Sequence, residues 1–299
     1  MMRALTLALA VAFTAVPAAA RVPLRPSLTQ EQIANQYVAP FKVAGNVYYV
    51  GVNGIGVYLI TTPRGHILVD GGYASSANII LRNVKTLQFA PTDIKYIVVT
   101  HAHFDHAGGL AELKRRTGAQ VVALAAERPA LEAGRHFGDT NYGVGTFPPV
   151  KVDRVLRDGE ALTVGGVSLT AHATPGHTIG CTSWTLPLID AGKRRTAIFY
   201  CSTTVAGNLL VGNRAYPNIV ADYRGSFAKL SAIHADIFLS NHPEFADIFA
   251  KRNRRRPGGP NPFVLHGELQ RFVAASKRDF EAELARQQAA ARTHPKARP

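Results

Sequence analysis

The chain has 299 residues, 46% of them hydrophobic and 18% charged, with 34 basic against 20 acidic side chains for a formal net charge of +14. This apolar content excludes a disordered chain, and the lack of a strict repeat excludes collagen-like and coiled-coil architectures, leaving a globular protein. The basic balance bears on solubility and steering and carries no information about fold or chemistry.

In residues 1–20, Arg3 precedes an apolar run from Ala4 to Val16, then Pro17, Ala18, Ala19 and Ala20. The run is too short to span a bilayer and ends in small residues, which predicts a secretory signal peptide cleaved before Arg21. Residues 21–299 are then expected to be a single domain, periplasmic or secreted, with no stable membrane insertion. No later segment reaches eighteen uninterrupted apolar residues. In an oxidising compartment the two cysteines, Cys181 and Cys201, would most often pair, with a metal ligand or a nucleophile as the competing reading.

Residues 46–72 alternate β-branched and aromatic runs with Gly and Pro joints, which predicts a β-meander. Apolar residues at helical spacing follow over 74–89, and the run Tyr96-Ile97-Val98-Val99-Thr100 then reads as a strand ending on His101. A helix is predicted over 109–117, a strand over 120–124, and a surface loop rich in Gly, Pro and aromatics over 135–149. The second half reads as a hairpin over 161–177, strands over 181–188, 197–202 and 236–242, and a turn over 189–196. Helices are predicted over 226–233, 244–251 and 261–292. This order suggests two sheets packed face to face and covered by helices.

The chemistry concentrates in His101-Ala102-His103-Phe104-Asp105-His106. A lone histidine is usually a satisfied core or surface residue. Three histidines and an aspartate at this spacing, on a loop leaving a strand end, suit zinc instead, because imidazole nitrogen and carboxylate oxygen are its ligands. Four residues do not complete two sites. His177, in Thr174-Pro175-Gly176-His177, and His242, before Pro243, are strand-end candidates for the rest.

These motifs resemble the metallo-β-lactamase superfamily, and more closely its subclass B3. The resemblance runs through Val69-Asp70-Gly71-Gly72, His101 to His106, His177, Ser202 and His242 and spans nearly all of residues 21–299. It implies a four-layer αβ/βα sandwich with two Zn2+ ions at one edge of the sheets. His101, His103 and His177 would hold the first, and Asp105, His106 and His242 the second. The implied activity is hydrolysis of the β-lactam amide by a metal-bridging hydroxide, with Asp105 also aiming that hydroxide. The implied partner is a small-molecule β-lactam, no nucleic acid is expected to bind, and a monomer is expected.

Superfamily relatives that act on thioesters, lactones or tRNA usually carry a metal-bridging Asp where this chain reads Tyr200-Cys201-Ser202-Thr203-Thr204. The missing carboxylate favours the β-lactamase reading, with Ser202 and Thr204 as candidate contacts for the substrate carboxylate. Ordinary strand-end hydrogen bonding is the alternative for both hydroxyls. Subclass B3 relatives with cysteines at both places suggest that Cys181 and Cys201 pair as a disulfide, against two free buried thiols. Asp70 is expected to support the metal loop from behind. The other histidines, His66, His136, His172, His234, His266 and His294, belong to no motif and are expected at the surface or in hairpins. A different superfamily hydrolase, such as an acyl-homoserine lactonase, is the enzymatic rival, and a nucleic-acid-binding protein is the rival from another class. Residues 251–299 hold twelve basic and four acidic side chains, so the basic excess gathers beyond the last candidate ligand.

Overall fold

The computed structural model describes residues 28–141 and 145–293, so the signal-peptide segment and His294 lie outside the described residues. Thr29 caps a short helix, α1 (Gln30–Ala34), reciprocally with Gln32. Strands β1 (Phe41–Ala44), β2 (Val47–Tyr49), β3 (Tyr58–Ile60) and β4 (His66–Val69) form the antiparallel half of a seven-stranded sheet. The parallel half is β5 (Ile94–Val98), β6 (Gln120–Leu124) and β7 (Arg154–Leu156). Parallel neighbours need crossovers. These contain α2 (Ala77–Thr86), then α3 (Phe104–Ala107) and α4 (Leu110–Thr117), then α5 (Arg128–Ala133).

The second sheet has five strands. An antiparallel run of β8 (Ala161–Val164), β9 (Val167–Ala173), β10 (Thr182–Asp190) and β11 (Lys193–Tyr200) is extended by β12 (Ile237–Ser240), parallel to β11. Helix α6 (Ile219–Ala232) makes that last crossover, and α7 (Ile248–Arg254) and α8 (Glu268–Thr293) follow.

The period-two alternation of strand side chains sorts the first sheet into two interfaces. Leu59, Leu68, Ile97, Val121 and Ala123 pack with Ile80 and Val84 of α2 and Leu110 and Leu113 of α4. Tyr58, Ile60, Val69, Val98 and Val122 instead join Leu169, Trp184, Leu186 and Phe199 in the layer shared with the second sheet. On the outer side of that sheet, Tyr223, Phe227 and Phe280 of α6 and α8 stack with ring centroids 4.8–6.3 Å apart. The layers are therefore those of the metallo-β-lactamase sandwich. Burial on both faces explains why β4 and β12, whose residues are all buried, are apolar but for His66 and Ser240 at their ends.

Several boundaries depart from the sequence reading. The expected turn over 189–196 shrinks to Ala191 and Gly192, both at positive φ, and the strands run up to it. The expected helix over 244–251 is broken by Asp247 at φ +46, giving a 3-10 turn over Pro243–Ala246 and then α7. The expected C-terminal helix over 261–292 starts only at Glu268. Asn261 is drawn off to donate to Val43 O and Asp190 Oδ2 instead. Helix α6 starts at Ile219, well before the predicted 226.

Both sheets are pinned together where the parallel strands end. Trp184 Nε1 donates to Val99 O at 3.1 Å, Thr182 N to Thr100 O at 2.8 Å, and Tyr58 Oη to Ser240 O at 2.7 Å. The candidate ligands leave from this edge.

Candidate metal centre

His101 and His103 follow β5, His177 lies in the turn between β9 and β10, and His242 follows β12. Asp105 and His106 sit on α3, a single helical turn. That turn is held by a close approach of two glycine pairs. Gly71 N donates to His106 O at 2.8 Å and Gly109 N to Gly72 O at 3.0 Å. A Cβ on Gly109 would come within 2.2 Å of Gly71 O, so the contact requires glycine there.

The six expected ligands come together as two groups of three: His101, His103 and His177, and Asp105, His106 and His242. In the first group the three ring centroids are each 4.7 Å from the other two. His101 links the groups, its ring 4.3 Å from that of His106.

Each ring of the first trio has one nitrogen occupied by the protein, which fixes the nitrogen left over. His177 Nδ1 donates to Thr204 O at 2.8 Å. His101 Nδ1 lies 3.1 Å from Thr100 Oγ1, while its Nε2 is buried with no partner. His103 Nε2 lies 3.0 Å from His136 Nδ1, leaving Nδ1 free. An orphaned buried imidazole nitrogen is costly unless something binds it. A metal is what this donor set fits: neutral nitrogens converging, each oriented from behind.

The titration behaviour of the first trio and of His242 agrees, while Asp105 raises His106. Burial, reinforced by the neighbouring rings, holds His101 and His103 well below the usual histidine range. Burial likewise takes His177 down to about 4 and His242 to about 3. Neutral imidazole is the ligand form. Burial pushes Asp105 up, but His106, His242 and His103 more than reverse it and hold the carboxyl well below the usual carboxylate range. Its Oδ2 lies 3.3 Å from His106 Nε2 and 3.7 Å from His242 Nε2.

Asp70 stands behind the metal loop, as the sequence suggested. Its two oxygens accept from Thr100 N and Thr100 Oγ1, each at 2.7 Å, and Oδ2 lies 3.8 Å from His106 Nδ1. Asn241 Nδ2 donates to the same Thr100 hydroxyl at 3.0 Å.

Cys181 and Cys201 form a disulfide with their Cα atoms 6.0 Å apart. It joins the start of β10 to the end of β11, beside the first trio. Ser202 is buried, and its hydroxyl accepts from Thr204 N at 3.1 Å and meets Thr204 Oγ1 at 3.0 Å. Thr204 Oγ1 also lies 3.2 Å from His177 Nδ1. The tetrapeptide Ser226-Phe227-Ala228-Lys229 has the S-x-x-K spacing of a nucleophilic serine. Its two polar groups are engaged elsewhere, Ser226 with Pro175 O at 2.6 Å and Lys229 with Asp158 at 2.7 Å.

His66 lies in the β3–β4 hairpin, as expected, and His136 departs from an expected surface position. His66 is buried, its ring against Phe89. His136 reaches from the 135–149 loop to His103, and burial lowers it to about 4. His172, by contrast, is a hairpin residue bonded to Thr185 at 2.7 Å, away from the trios. Glu127 is a functional candidate the sequence reading passed over. It is buried beside the first trio, and burial raises its carboxyl to about 6. No periodic or spacing signal marks it.

The family model described as the metallo-beta-lactamase superfamily matches residues 50–188. Among solved structures, BJP-1, a subclass B3 metallo-β-lactamase of Bradyrhizobium japonicum, is 45% identical with a TM-score of 0.84, covering 88% of this chain and 99% of that one. The chain belongs to the metallo-β-lactamase superfamily, in subclass B3. Native FEZ-1 of Legionella gormanii, another metallo-β-lactamase, superposes with a TM-score of 0.81 at 37% identity, covering 85% of this chain and 98% of that one. A hydroxyacylglutathione hydrolase of Pseudomonas syringae pv. syringae is 34% identical over 139 residues, 45% of this chain and 42% of that protein. The chain thus spans about two fifths of that curated relative's length, whereas the subclass B3 enzymes match nearly end to end. Among the described residues, no helix is long and apolar enough to cross a membrane.

Proposed function

We propose that this protein hydrolyses the β-lactam amide bond with two zinc ions, one at each trio. The observation that carries the proposal is the pairing of two three-ligand groups at one sheet edge in a chain that matches subclass B3 enzymes nearly end to end. Three protein ligands per metal leave coordination open for water and substrate, unlike a closed structural site. Bound zinc supplies Lewis acidity for the lactam carbonyl and the departing nitrogen, and lowers the pKa of water from near 16 to about 7.

The protein's own residues do the rest. Thr204 O and Thr100 Oγ1 orient the rings of His177 and His101. Asp105, kept ionised by the surrounding histidines, accepts a hydrogen bond from the attacking water and aims it at the carbonyl. Ser202 and Thr204, just beyond the end of β11 and beside His177, are the proposed neighbours of the substrate carboxylate. The disulfide fits an oxidising compartment, so a periplasmic or secreted location belongs to this reading.

The curated relatives motivate a second reading, thioester hydrolysis of the hydroxyacylglutathione type. The residues Cys201-Ser202-Thr203 weigh against it, because they offer no carboxylate to bridge two metals. Measuring kcat/KM for a carbapenem and a cephalosporin against S-lactoylglutathione and an acyl-homoserine lactone separates the readings. The β-lactams should lead by at least about a hundredfold, roughly 2.7 kcal/mol in transition-state binding. Chelator-sensitive turnover of the thioester or lactone alone would refute the β-lactamase reading.

A further inference from the structure

Glu127, just beyond β6, is 2% exposed, and its carboxylate is spent entirely on backbone and side-chain donors from two loops. Oε1 accepts from Ala102 N, the amide between His101 and His103, and from Thr178 Oγ1 at 2.9 Å. Oε2 accepts from Gly180 N at 2.8 Å. Thr178 and Gly180 belong to the turn that carries His177. One carboxylate therefore ties the loop after β5 to the turn before β10, and these two segments supply all three members of the first trio. Residue 180 is also constrained, since a Cβ there would lie 2.3 Å from Glu127 N.

The second trio has different supports. Its members lie on the loop after β5 and on the segment after β12, and the three bonds of Glu127 reach none of the latter; Asp70 approaches His106, while the Asn241 bond to Thr100 bears on His101 of the first trio. Burying a carboxylate is expensive unless its acceptors are filled. Here three donors fill them, and all three come from the chain segments that bear the first trio.

We propose that Glu127 is a positioning residue that fixes the spacing of these two loops and so sets the metal affinity of the first trio but not of the second. This rests on reading the trios as metal sites. It needs no assumption about the substrate.

The test measures zinc affinity by competition with a chromophoric chelator in two single-trio backgrounds. His242→Ala isolates the first trio and His177→Ala the second. Into each is introduced Glu127→Gln, which keeps the size but sets an NH2 group against at least one donor, either Gly180 N or the pair Ala102 N and Thr178 Oγ1, and so weakens the tie. In the first background zinc binding should weaken about tenfold or more, the usual effect of losing an outer support of a metal ligand. In the second it should change less than about twofold. Equal losses in both backgrounds, or no loss in either, would overturn the proposal. If Glu127→Gln does not fold, as judged by circular dichroism, amide hydrogen exchange on the unmodified metal-free protein decides. Ala102 and Gly180 should be strongly protected, and rapid exchange at both would contradict the tie. Failure of zinc to bind either single-trio protein would sink the metal reading itself. Loss of cephalosporin turnover with site-selective zinc binding intact would count only against the proposed substrate.

Discussion

His136 Nδ1 lies 3.0 Å from Nε2 of His103, so the second histidine of the metal motif is held from outside by a residue of the 135–149 loop. The contact takes up Nε2 and turns Nδ1 toward His101 and His177. With a metal on its Nδ1, His103 would donate from Nε2 and His136 would accept at Nδ1.

Substituting His136→Ala should therefore act through zinc. Half-maximal turnover of a cephalosporin should need about tenfold more free zinc, while kcat at saturating zinc stays within about threefold of the parent. An unchanged zinc requirement would show that the His103 ring holds its position without this partner.

The disulfide closes a 20-residue separation between β10 and β11. Restricting the unfolded chain over a loop of this length corresponds to roughly 3 kcal/mol in the chain-entropy model. The double variant Cys181→Ala, Cys201→Ala should lose about 2–4 kcal/mol in denaturant unfolding of the metal-free protein. A loss below about 0.5 kcal/mol would mean the bond contributes little beyond the packing around it.

The buried histidines make the metal-free protein acid-sensitive. His177, His242 and His136, lowered to about 4, 3 and 4, bind fewer protons folded than unfolded from those values up to about 6.5. His101 and His103 shift the same way. Stability from these groups is full above about 6.5 and falls as the pH drops toward 4. Asp70 and Glu127, both pushed up to about 6 by burial, act oppositely between about 4 and 6, because there the folded state holds the extra protons. His106, raised overall by Asp105 despite its burial, adds stability below its own folded value. With His66 and His172, also lowered by burial, seven histidines stand against four opposing groups, Glu268 being the fourth, and the result is a net loss on acidification. The urea midpoint of the metal-free protein should be lower at pH 5 than at pH 7.5, and an equal or higher midpoint at pH 5 would contradict this balance.

What was legible in the sequence follows the physics of each signal. The six candidate ligands could be singled out because side chains of metal-binding type follow strand ends or, for Asp105 and His106, the short helix just beyond β5, and chain direction brings these places to one edge. The sheets could be read because their strands alternate or run apolar. Short elements such as β7 and α5 carry too few residues for a period to emerge. Glu127 and His136 were not legible for a different reason. Each looks like an ordinary polar residue in a loop, and its role comes from long-range contacts with Ala102, Gly180 and His103. Asn261 likewise leaves the start of a predicted helix unformed through bonds to residues far away in sequence.

The central claim is that the two trios, loaded with zinc, hydrolyse β-lactams. Titrating zinc into the purified metal-free protein, with a chromogenic cephalosporin as readout, tests it most directly. Hydrolysis should rise from background to saturation as zinc fills the trios, and His101→Ala or Asp105→Asn should abolish most of the rise. Saturable zinc binding with no cephalosporin hydrolysis, or hydrolysis that does not depend on zinc, would contradict the account.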